Sequence, residues 1–78
     1  MPTVLRIGPY RFHFYTIDGN EPPHIHVRRD RNEAKFWLDP VRLAVEGGFS
    51  GPELRRIERH VSEHEQTLLD AWHDYFSA

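Results

Sequence analysis

The stretch EPPHIHV at 21–27 places His24 and His26 one residue apart behind two prolines. On an extended strand that spacing sends both imidazoles to one face. Imidazole titrates near neutral pH and binds metals, so such a pair suits proton transfer or ligation. Other chemistry is close by in the chain: Arg11 and Arg28, Tyr15 and Trp37, and a third histidine, His13. Each type has a role on RNA. Arginine grips phosphate in a fork, histidine moves protons to and from the 2′ oxygen and the leaving group, and an aromatic ring stacks on a base. His24 and His26 are therefore the catalytic candidates of a metal-independent ribonuclease, with Arg11, Arg28, Tyr15 and Trp37 as substrate contacts. The plainer reading is a solvated sheet face that happens to carry these residues.

These side chains can act together only if the strands point them the same way. Residues 4–7 (VLRI) and 10–15 (YRFHFY) alternate apolar with polar around Gly8-Pro9, the pattern of a β-hairpin. A tight turn there pairs Ile7 with Tyr10, Arg6 with Arg11 and Leu5 with Phe12. Asp18-Gly19-Asn20 reads as a turn, and Glu21-Pro22-Pro23 as a stiff extended lead into HIHVRR. A second alternating run, EAKFWL at 33–38, closes a second hairpin. An even loop such as Arg31-Asn32 pairs Val27 with Phe36, Ile25 with Leu38 and His26 with Trp37. An odd loop would place His24 and His26 among the apolar set, so the even register is expected. Arg6, Arg11, His13, Tyr15, His24, His26, Arg28, Lys35 and Trp37 then share the side that the helices leave bare.

Two helices are expected. Asp39-Pro40 has the form of an N-cap followed by proline at the first helical position, with VRLAVE running to Gly47-Gly48. Ser50 and Glu53 form a capping box, and Phe49 and Leu54 a hydrophobic staple. From there apolar residues recur at helical spacing through Ile57, Val61, Leu68, Trp72 and Phe76, with no Gly or Pro between Glu53 and the chain end. One continuous helix from 51 to about 76 would be roughly 39 Å long, against about 20 Å for a six-residue strand. It would outrun the sheet, leaving Leu69, Trp72, Tyr75 and Phe76 as a partner-binding patch. The fold class is α+β: an antiparallel sheet of about four strands in two hairpins, with a short and a long helix on one face.

A four-histidine zinc site built from His24, His26, His60 and His64 is the metal alternative. The register opposes it, because His64 falls on the apolar stripe of the helix while His24 and His26 point the other way. No metal or cofactor is assigned. The sequence has no Gly-rich phosphate loop, GxSxG elbow, HExxH or EF-hand loop.

The 78 residues form a single domain, 1–78, with a thin core. Without cysteine it has no disulfide and no thiolate nucleophile, which fits a reducing cytoplasm, and no apolar run suggests a signal peptide or membrane span. Net charge is −2, unevenly placed: ten Lys and Arg face eight acids up to residue 59, and four acids stand without a base from 60 onward.

MPTVLRIGPYRFHFY, DGNEPPHIHV, EAKFWLDPVRLA, GFS and ELRRIERHVSEH, in that order over essentially the whole chain, resemble the small bacterial proteins grouped as domain of unknown function 4160. Members resemble components of two-gene modules and toxin–antitoxin candidates. The resemblance implies a component of a two-gene module that meets a neighbouring small protein; the cytoplasmic setting is expected from the composition, RNA as the target from the polar sheet face, and docking of a partner protein or a second copy from the end of the long helix. It brings no catalytic residues with it, although its most recognisable stretch includes His24 and His26. Alternative roles are a non-catalytic protein-interaction module and a histidine-based metal-binding protein.

Overall fold

The computed structural model describes residues 3–77. It has five strands, β1 (Thr3–Ile7), β2 (Tyr10–His13), β3 (His24–Arg29), β4 (Asn32–Leu38) and β5 (Val41–Val45), followed by helices α1 (Gly51–Glu63) and α2 (Glu65–Phe76). The strands form one antiparallel meander in the order β1-β2-β3-β4-β5. A short 3-10 turn, Thr16–Asn20, joins β2 to β3. The α+β class and the helices on one face are as the sequence predicts.

The first hairpin has the expected register, Ile7 opposite Tyr10, Arg6 opposite Arg11 and Leu5 opposite Phe12. The second has the expected parity but is slid by two: Ile25 pairs with Phe36, Val27 with Ala34, His26 with Lys35 and His24 with Trp37. Its two loop residues are Asp30 and Arg31, not Arg31 and Asn32. Asp30 takes the left-handed conformation at φ 56°, which a short polar side chain tolerates better than Arg31 would. Because the slip is even, every side chain keeps its face.

Residues 41–45 are a strand, not the expected short helix. Asp39 and Pro40 make the turn between Leu38 and its partner Val41. Asp-Pro can start a helix or turn a hairpin. Here the open edge of β4 decides, since pairing sets Val41 and Leu43 opposite Leu38 and Phe36 and hydrogen-bonds backbone that two helical turns would leave unpaired at both ends. The sheet thereby gains its fifth strand.

The long helix is also not continuous. It breaks at His64, whose backbone (φ −114°, ψ 20°) leaves the helical region between α1 and α2. The His64 ring lies across the break, its Nδ1–H donating to the His60 carbonyl at 2.9 Å. The break keeps the C-terminal part on the core. Leu68 and Trp72 are buried, Leu69 and Phe76 pack against the core, and Tyr75 is 43% exposed. Of the expected projecting patch, only Tyr75 projects.

The core lies between the inner sheet face (Phe12, Ile25, Val27, Ala34, Phe36, Leu38) and Ile57, Val61 and Leu68 of the helices, all fully buried. Ser50 caps α1, its hydroxyl accepting from the Glu53 N–H. Glu53 in turn accepts two bonds from Arg29, at 2.7 and 2.9 Å, and one from the Tyr10 hydroxyl at 2.8 Å. That ties the start of α1 to β2 and β3.

Candidate functional site

On the sheet face away from the helices, the register lines up two rows. Arg6, Arg11, Arg28 and Glu33 are opposite one another across β1 to β4, and His13, His26 and Lys35 form the next row across β2 to β4. His24 and Trp37 follow one step further along. The pleat thus brings together Arg11, Arg28, His24, His26 and Trp37 as expected, and Tyr15 joins them from the end of β2, its ring 4.6 Å from that of His26.

The histidine end of the face is covered. The 3-10 turn folds over it and inserts Asp18, which is 8% exposed. The turn holds this pose because the Tyr15 N–H donates to Asp18 Oδ2 at 2.8 Å, while the Asp18 N–H returns a bond to the Tyr15 carbonyl. From there Asp18 faces both candidate imidazoles: Oδ1 is 3.2 Å from His24 Nε2, and Oδ2 is 3.1 Å from His26 Nε2. His24 is fully buried. Its other nitrogen, Nδ1, lies 2.9 Å from the Pro22 carbonyl. A carbonyl only accepts, so Nδ1 carries the proton. Trp72 of α2 closes the end of the cluster with its ring 5.0 Å from that of His24, so His24 does not stand on a bare surface. The His26 side chain is 14% exposed.

A second carboxylate, Glu33, serves the neighbouring rings. It accepts from the Tyr15 hydroxyl at 2.7 Å and lies 3.3 Å from His13 Nε2. His13 is fully buried and stacks 5.6 Å from His26. Glu33 is positioned by the strand and also by Gly47, which sits at φ +67° so close to the Glu33 carbonyl that a Cβ would collide with it. Glu21 accepts from Lys35 Nζ at 2.6 Å, and that ammonium lies over the Trp37 ring.

These contacts shift the titrations. Burial pushes the His13 imidazole down, only partly offset by Glu33. Burial also lowers His26 against the opposing pull of Asp18. For Asp18 burial acts upward, but the Tyr15 N–H and the two rings outweigh it and hold the carboxyl below its usual range. Burial and the bond to Glu33 raise the Tyr15 phenol. The cluster therefore favours ionised Asp18 beside neutral His13 and His26.

Asp18, Glu21 and Glu33 were missed from the sequence. Asp18 reads as turn chemistry in Asp-Gly-Asn. The available signal was an acid six residues ahead of His24 in a segment too short to be a strand. His60 and His64 lie on α1 and at its end: His64 bonds the His60 carbonyl, and the His60 ring is 5.9 Å from Tyr10. Among the described residues, the group whose donor atoms converge as metal ligands would is Asp18, His24 and His26, all within 4.8 Å of one another.

The fold and site define a five-stranded α+β meander with a carboxylate-bridged histidine cluster under a short turn. The profile of the family described as Domain of unknown function (DUF4160) matches residues 10–73, and the chain belongs to that family. No curated protein sequence and no solved structure matches it. Among the described residues, no helix is long and apolar enough to cross a membrane.

Proposed function

We propose that this protein is an RNA-binding component of a toxin–antitoxin-like module, gripping the phosphate backbone with the open end of its outer sheet face. The observation that carries the reading is the cross-strand row Arg6, Arg11, Arg28. Like charges directly opposite on adjacent strands destabilise a sheet. Three guanidinium groups in register are therefore better accounted for by an anion than by folding. Among the described residues, the ion pair within this row is Arg28 with Glu33, at a loose 4.0 Å. Tyr15, whose hydroxyl bonds Glu33, supplies aromatic surface beside it, and Trp37 under Lys35 supplies more two steps further along the face. The module role rests on the family resemblance.

The reading assigns binding to the arginines and no direct substrate contact to His24, whose ring is enclosed by Pro22, Asp18 and Trp72. His26 is the imidazole of the pair that reaches the surface. The test is fluorescence anisotropy with a short single-stranded RNA over a salt series. The wild type should bind with a slope of about −0.7 in log K against log salt for each phosphate neutralised. An Arg11→Glu, Arg28→Glu variant that keeps its fold should lose binding and flatten the slope. Equal binding by that variant, or none by the wild type, would overturn the reading. A partner protein co-purifying with an RNA-free complex would favour the interaction-module alternative.

A further inference from the structure

Independently of RNA, the geometry points to a binding site for a divalent transition-metal ion of the zinc class, formed by Asp18, His24 and His26. The chemistry starts at His24. Its Nδ1–H is committed to the Pro22 carbonyl, so Nε2 is the ring nitrogen left to ligate. That nitrogen is completely buried, has no hydrogen-bond partner among the described residues, and is aimed at Asp18 Oδ1, 3.2 Å away. An imidazole nitrogen facing a carboxylate in a water-poor site calls for a cation between them, and a metal ion takes that place where it displaces the proton.

The surroundings resemble the support of a ligand set rather than of an ordinary ion pair. An imidazole that ligates through one nitrogen typically donates from the other to a backbone carbonyl, which fixes tautomer and ring orientation. Pro22 does this for His24. Ligating carboxylates are themselves hydrogen-bonded, and the Tyr15 N–H does that for Asp18. The nitrogen-to-oxygen distances of 3.2 and 3.1 Å, one to each carboxylate oxygen, are close to the edge of a coordination polyhedron, about 3.0 to 3.4 Å for ligands at roughly 2.1 Å from the ion. The three residues' donor atoms lie within 4.8 Å of one another. Two imidazoles and one carboxylate leave coordination positions open on the His26 side, the side that reaches solvent. Nitrogen ligands select against magnesium and calcium, which take oxygen.

The set is local, which favours its assembly. His24 and His26 come from one strand, Asp18 from the turn before it, and the rigid Pro22-Pro23 step holds the distance between them. It shares only His24 and His26 with the four-histidine arrangement considered from sequence.

The test uses the full untagged chain, stripped with a chelator and titrated with Zn2+, with Mg2+ as control, reading the thermal midpoint and the imidazole carbon-bound proton signals by NMR. Saturating Zn2+ should raise the midpoint and shift the His24 and His26 signals while leaving His73 in place; Mg2+ should do neither. Co2+ in place of Zn2+ should produce visible d–d absorption. His26→Gln and Asp18→Asn, checked for folding by circular dichroism, should each weaken Zn2+ binding at least about tenfold. The wild-type spectra decide even if a variant unfolds. No midpoint rise with Zn2+, or shifts confined to His60, His64 or His73, would overturn the site.

Discussion

Asp18 carries more than its place in a turn suggests. One carboxylate accepts from the Tyr15 N–H and faces two imidazole nitrogens, with little exposure to water. Removing it leaves the part-buried Tyr15 N–H and His26 Nε2 without their partner, and an orphaned buried polar group costs about 1–3 kcal/mol. Asp18→Ala should therefore lose stability of that order in urea denaturation with chelator present. Glu53 yields a pH prediction. Arg29 and Tyr10 hold its carboxyl below the ordinary value of 4.5. The unfolded chain thus binds more protons in acid than the folded one, and the stabilisation is complete above that ordinary value and fades as pH falls through the lower folded value. Comparing Glu53→Gln with wild type by urea denaturation between neutral and acid pH should show a shallower acid-side decline in the variant.

At the scale of elements, local signals were reliable where they had one meaning. Alternation, hairpin parity and the Ser50 cap were legible because period and capping are set by near neighbours. Asp39-Pro40 was not, since its φ restriction suits a helix start and a hairpin turn alike, and only the free edge of β4 chose between them. The break at His64 carries no Gly or Pro marker; it follows from the need of Leu68 and Trp72 to stay on the core while the ring satisfies the His60 carbonyl. Gly47 is the corresponding constraint on the loop after β5. Adding a side chain at its positive φ, against the Glu33 carbonyl, should cost about 1–3 kcal/mol. For a domain this small each kcal/mol lowers the midpoint by about 4–8 °C, so Gly47→Ala should melt well below wild type by calorimetry.

As a whole molecule the protein has one thin core and little stability to spare. A chain of this length holds on the order of 4–12 kcal/mol. Leu68, fully buried where α2 meets the sheet, should cost about 2–5 kcal/mol as Leu68→Ala. That variant should populate unfolded or molten states at physiological temperature, visible as lost near-ultraviolet circular dichroism. The same economy explains why the aromatic end of α2 turns inward onto Phe14 and His24 instead of standing free: in so small a domain those rings complete the core.

The amino-acid order alone determined which residues share a face. Side-chain direction along a strand alternates strictly, and any register that buries Phe12, Ile25 and Phe36 must turn His13, His26, Arg11 and Arg28 the other way. Tertiary structure decided what happens on that face. The carboxylates that pair with the imidazoles come from a turn and a neighbouring strand, and the lid over His24 from a helix more than forty residues on. No periodicity records that the Asp-Gly-Asn turn folds back over the sheet, because that is settled by closure in space, where a buried ring nitrogen, a fixed proline carbonyl and one carboxylate meet.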